Sequence, residues 1–128
     1  MVALHIQHTL QDAGHEVVGM APDVDAAVKV AATLHVDLAL VDYGLADGSC
    51  GADAAQLLRE RYSTPSVFVS GDPGSCRKAW KRAGALGCLQ KPFTDIDLLR
   101  AVEIAADLSA GKEPRATYHR FEIYSTAG

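Results

Sequence analysis

The sequence predicts an α/β fold of three layers, a parallel sheet covered by helices on both faces, and two observations carry that reading. Short continuous apolar runs, Leu38-Ala39-Leu40-Val41, Val67-Phe68-Val69 and Cys88-Leu89-Gln90, recur between stretches with helical spacing. Runs this short and unalternating suit parallel strands buried on both faces. Each run then ends in a residue with phosphoryl chemistry: Asp42, Ser70 and Lys91. Open α/β sheets bind ligands just beyond the carboxyl ends of their strands, so a carboxylate, a hydroxyl and an ammonium at successive strand ends should converge on one site.

The elements follow in order. Residues 2–13 place Val2, Ile6, Leu10 and Ala13 at helical spacing, with Gly14 as a stop. Glu16-Val17-Val18-Gly19 reads as a short strand, and Pro22-Asp23 opens a second helix with Val24, Ala27, Val28, Ala31 and Leu34 on one stripe. After the Asp42 strand come a glycine-rich loop over 43–51, a third helix over 52–62, and a Ser63-Thr64-Pro65 turn into the strand 66–70. Residues 74–84 form a basic helix whose Trp80 is expected to be partly buried packing rather than a stacking platform. A strand over 86–90 follows, and Thr94-Asp95-Ile96-Asp97 begins the last helix with capping-box spacing, to stop at Gly111. Pro114 breaks the chain, and 118–124 alternates with Phe121 and Ile123 on one side, as an edge strand or an unstructured tail would. The expected organisation is one domain over 1–111 with a tail over 112–128.

Composition bounds the function. A chain of 128 residues, 48% hydrophobic and 22% charged, has enough apolar material for a single core. Its formal net charge of -4 argues against a broad phosphate-binding surface, so nucleic acid is not an expected direct partner. Cys50, Cys76 and Cys88 are odd in number and lack CxxC spacing, which reads as buried or incidental thiols rather than a disulfide or zinc framework. No signal peptide, apolar 18-mer or lipidation motif is present, and the expected location is the cytoplasm. His5 and His8 share a helix face without a third ligand and are expected to face solvent.

Taken together, Leu38-Ala39-Leu40-Val41-Asp42 with Leu45-Ala46-Asp47-Gly48, Val67-Phe68-Val69-Ser70-Gly71, Gly84-Ala85 and Lys91-Pro92-Phe93 give the chain a resemblance to the receiver domain of two-component response regulators. The marks span roughly residues 1 to 110, and the loop after Asp42 is similar to the longer form in receivers of alphaproteobacterial stress-response regulators. The resemblance implies a flavodoxin-like fold and a phosphoacceptor, not an enzyme beyond self-phosphorylation and dephosphorylation. Asp42 would take a phosphoryl group from a histidine kinase or phosphotransfer protein, because a carboxylate forms an acyl phosphate that splits a hard transfer into two steps. Ser70 would hydrogen-bond a phosphoryl oxygen, Lys91 would neutralise the added charge, and the Lys91-Pro92 bond would be cis. Magnesium is the implied cofactor, with Asp42 and the backbone carbonyl of Gly44 as ligands. The rival expectation is a phosphorylation-independent interaction module that uses the last two helices and strand. A nucleotide-binding enzyme is disfavoured by the lack of GxGxxG and GxxxxGK[ST] patterns.

Two departures from the family pattern shape the expectations. The family holds magnesium with two adjacent acids at the end of a first, central strand, and no such strand or acid pair precedes the first helix here, so metal binding and rapid phosphorylation are both expected to suffer. Cys88 stands where the family usually carries a mobile aromatic, and a thiol cannot report the switch in the same way. Losing about four buried aliphatics at roughly 1.5–3 kcal/mol each costs on the order of 6–12 kcal/mol, comparable to a whole domain's stability of roughly 5–15 kcal/mol. Three arrangements would repair the sheet: a natural start upstream of Met1, direct closure, or insertion of the tail into the vacant slot, in cis or between chains. The first is the expected one, with a homodimer or aggregation as the consequence of an unfilled slot.

Overall fold

A computed structural model describes residues 3–16, 24–42, 51–113 and 121–124. The strands are β1 (Ala39–Asp42), β2 (Ser66–Ser70), β3 (Ala85–Gln90) and β4 (Phe121–Ile123). The helices are α1 (Ala3–Asp12), α2 (Val24–Thr33), α3 (Gly51–Tyr62), α4 (Pro73–Ala83) and α5 (Asp95–Ser109). The sheet order is β1-β2-β3-β4, parallel between β1, β2 and β3, with β4 antiparallel to β3. The three apolar runs thus pair with one another as expected.

Period-two alternation divides the core between two faces. Phe68 and Cys88 point to one side, where Ala52, Ala54 and Ala55 of α3 and Cys76, Ala79 and Ala83 of α4 cover them. Val67, Val69 and Leu89 point to the other, against Leu98, Ala101, Val102, Ile104 and Ala105 of α5, with Leu10 of α1 at the margin. Every residue of β2 is buried, which is why that run is continuous rather than alternating. The small side chains of α3 and α4 let those helices lie close to the sheet, while the larger aliphatics of α5 fill the opposite layer.

Local chemistry fixes the helix ends. The Thr94 hydroxyl accepts from the Asp97 N–H at 3.2 Å and the Asp97 carboxylate accepts from the Thr94 N–H at 2.8 Å, the reciprocal pair the spacing predicts. α4 ends at Gly84 with φ +70°, a left-handed conformation that glycine adopts without strain, and the Gly84 N–H donates to the Trp80 carbonyl at 2.7 Å.

The tail settles at the outer edge of β3, pairing Gly87 with Ile123, Cys88 with Glu122 and Leu89 with Phe121. Insertion beside the Asp42 strand is therefore corrected: β4 lies at the opposite end of the sheet from β1. The reason is chemical. A central slot needs apolar side chains on both faces, whereas Glu122 is a carboxylate that at the edge reaches Arg77 of α4. Gly87 makes this edge usable, since a Cβ there would lie 2.5 Å from the Glu122 carbonyl oxygen and 2.5 Å from the Phe121 ring. The expected strand over 16–19 lies, apart from Glu16, outside the described residues, as does the loop over 43–50.

Candidate functional site

Parallel pairing delivers the predicted residues to one end of the sheet. Asp42, last in β1, stands opposite Val69, and Ser70, last in β2, stands opposite Gln90. The Lys91 N–H donates to the Ser70 carbonyl at 2.9 Å, continuing the ladder one residue past β3. From there the Lys91 side chain spans the end of β2, and its Nζ donates to Asp42 Oδ2 at 2.7 Å. Both groups are partly sheltered, the Lys91 and Asp42 side chains being 29% and 33% exposed, so their pairing is less screened than on an open surface. The Lys91-Pro92 peptide is cis, as the resemblance implies.

Ser70 lies on the strand between them and is buried; its Oγ accepts from the Asp72 N–H at 2.9 Å. A hydroxyl that accepts one bond still carries a proton to donate. Asp42 and Lys91 are thus in direct contact, Ser70 ends the intervening strand, and Gly44 falls outside the described residues.

Magnesium keeps several waters and relies on one or two carboxylates plus a phosphate. Among the described residues no group of three or more His, Cys, Asp or Glu side chains could hold a metal, and the carboxylate of Asp42 is engaged by Lys91. Of the two expected ligands, Asp42 is held by Lys91 and Gly44 lies outside the described residues. His8 is exposed, as expected.

A second cluster, not anticipated from the sequence, joins α4 to β4. Arg77 Nε donates to both carboxylate oxygens of Glu122 at 2.8 Å, and Arg77 Nη2 donates to Oε2 at 2.5 Å. The hydrogen bond from Arg77 holds the Glu122 carboxyl below its usual range, and Glu122 raises the guanidinium in turn. Trp80 stacks on Tyr124 with ring centroids 5.1 Å apart and planes 13° apart, and the Lys81 ammonium sits 5.8 Å from the Trp80 ring centre. Trp80 is partly buried, as expected, but it is also a stacking partner. Beneath Tyr124, Cys76 and Cys88 are both buried; burial, then the neighbouring Cys76, pushes the Cys88 thiol up to about 12. Burial likewise raises the Tyr124 hydroxyl, which faces the Cys88 thiol and makes no well-formed hydrogen bond. The alternation of 118–124 and the basic face of α4 were the available signals, but matching Glu122 to Arg77 requires the sheet order.

The comparisons agree with this architecture. The response regulator receiver domain model matches residues 1–103. The phyllosphere-induced regulator PhyR of Methylorubrum extorquens is 34% identical over 74 residues, 57% of this chain and 28% of that protein. The transcriptional regulatory protein PdtaR of Mycobacterium tuberculosis is 29% identical over 106 residues, 82% of this chain and 51% of that protein. The chain therefore spans about half or less of these relatives' lengths. Among solved structures, the signal receiver domain of a modulated diguanylate cyclase from Desulfovibrio desulfuricans superimposes with a TM-score of 0.74 at 28% identity, covering 84% of this chain and 86% of that one. Sheet topology, the extent of the family match and the structural likeness lead to one conclusion: the chain belongs to the response regulator receiver domain family of two-component signalling.

Proposed function

We propose that this receiver domain accepts a phosphoryl group on Asp42 from the phosphohistidine of a histidine kinase or phosphotransfer protein, and that the modified form alters its contacts with a partner protein. The observation that carries the reading is the Lys91 ammonium 2.7 Å from the Asp42 carboxylate. It puts a compact cation where an acyl phosphate would gather charge. In the transfer a carboxylate oxygen of Asp42 attacks phosphorus; the new P–O bond forms as the P–N bond breaks, and the electron pair returns to the donor imidazole. Lys91 passes from the carboxylate to a phosphoryl oxygen, and the Ser70 hydroxyl donates to another. Because Lys91 already engages the Asp42 carboxylate, which has to be released before it attacks, the reaction should be slow.

Incubation with a small phosphodonor, and separately with a histidine-phosphorylated transfer protein, tests the assignment. Slow, acyl-phosphate-type labelling that disappears in Asp42→Asn is expected. Label surviving that substitution would overturn it. A second reading, an interaction module that works without phosphorylation, is favoured by the closed Asp42–Lys91 pair. A folded chain that takes no label from either donor but still binds its partner would select that reading.

A further inference from the structure

β4 is three residues long, short for a strand, yet Phe121 and Tyr124 are only 3% and 5% exposed. Its hold on β3 comes less from ladder length than from anchors: the Phe121 ring against the α5 layer, the Glu122 fork on Arg77, and Tyr124 stacked on Trp80 with its N–H donating to the Leu86 carbonyl at 3.0 Å. The receiving surface is shaped for this sequence. Gly87 leaves room for the Phe121 ring and the Glu122 backbone, Arg77 supplies the cation, and Trp80 supplies the ring face. A site matched to three side chains of one four-residue segment is a recognition site, and the buried Tyr124 hydroxyl without a well-formed partner weakens the hold.

We infer that the outer edge of β3, flanked by α4 on one face of the sheet and α5 on the other, is a docking groove for an extended aromatic–acidic–aliphatic–aromatic peptide, filled in cis by Phe121-Glu122-Ile123-Tyr124 as a displaceable strap. While docked, the strap covers the strand-pairing edge of β3 and closes over Cys76 and Cys88. When it leaves, three things open together: an edge that accepts another strand, the Trp80 face, and two thiols. A connection is long enough for docking in cis, since the residues between Ser109 and Phe121 can span the length of β3 at about 3.3 Å per residue. This inference concerns the outer edge of the sheet and stands whether or not Asp42 is phosphorylated.

The test uses the full chain with Cys50→Ser, so that thiol labelling by a small aromatic disulfide reports only Cys76 and Cys88. Each thiolate attacks the reagent, forms a mixed disulfide and releases one coloured thiolate. Phe121→Ala with Tyr124→Ala weakens the strap and leaves the groove intact, whereas Gly87→Val blocks the groove. Labelling should quicken by about tenfold or more in the double variant, because exchange follows local opening. A fluorescent synthetic peptide with the sequence of residues 118–126 should bind that variant, restore its thiol protection, and bind the parent chain at least about tenfold more weakly because the cis strap competes. The peptide should neither bind nor protect Gly87→Val. If Gly87→Val fails to fold by circular dichroism, peptide-restored protection in the double variant decides alone. Unchanged labelling in the double variant, no peptide binding to it, or equal binding to the parent chain overturns the inference. Protection that appears only at concentrations where light scattering shows a dimer overturns docking in cis.

Discussion

Among the described residues, the two ion pairs that span the most sequence are Asp42 with Lys91 and Glu122 with Arg77, across 49 and 45 residues respectively. They arise in different ways. Asp42 and Lys91 meet because parallel strands β1, β2 and β3 end at the same side of the sheet, and the buried core beneath fixes those ends whether or not the pair forms. Glu122 and Arg77 meet only if β4 is docked, so their contact is among the forces that hold β4 in place. The first pair is a consequence of the sheet's topology. The second helps to hold a strand of only three residues.

The largest effect that could break this contrast is on stability. Phe68 is fully buried in the middle strand, and Phe68→Ala should cost about 3–5 kcal/mol, the range for truncating a buried phenylalanine. Circular dichroism and Trp80 fluorescence should lose their signals together in urea, because the whole frame fails at once. A loss under about 1 kcal/mol would mean that the central strand does not carry the domain.

The difference between the two regions also explains what could be read from the sequence. Leu38 to Val41 and Val67 to Val69 announced themselves as buried parallel strands, and with the strands placed, the convergence of Asp42 and Lys91 followed from topology alone. Thr94 and Asp97 were legible because a capping box is local. Residues 121–123 were readable only as an edge strand or a tail, since three residues give too little periodicity, and their direction and partner depend on long-range contacts. Gly87 carried no signal of its role: between Leu86 and Cys88 it looks like any strand glycine until Phe121 is seen against it. The cluster of Arg77, Trp80, Glu122 and Tyr124 was missed for the same reason.

A smaller effect sharpens the comparison from the side of the frame. Thr94→Ala removes the acceptor for the Asp97 N–H at the start of α5 and should cost about 1 kcal/mol, within the usual 0.5–2 kcal/mol for such caps. Because α5 belongs to the parallel frame, the loss should appear in global melting and leave thiol protection under the strap unchanged below the transition. Faster labelling of Cys76 and Cys88 at constant global stability would show that α5 and β4 open as one unit.

The smallest effect is expected with pH, and its sign can be worked out from the strap itself. Arg77 holds the Glu122 carboxyl below its ordinary value of 4.5, so the pair's contribution is fully present above that pH and is lost as pH falls through the lowered value. On the alkaline side the Cys88 thiol is raised from 9.0 to about 12, so its contribution is present below pH 9.0 and is lost as pH climbs toward 12. Tyr124 is raised too and adds to the alkaline limb with the same sign. Trp80, the single tryptophan, stacks on Tyr124 and should report strap release on both limbs. Glu122→Gln should flatten the acid limb while leaving the alkaline limb in place, and Cys88→Ala should weaken the alkaline limb alone. An acid transition in Trp80 emission that persists unchanged in Glu122→Gln would place the sensitive carboxyl elsewhere and remove Glu122 from the forces that secure β4.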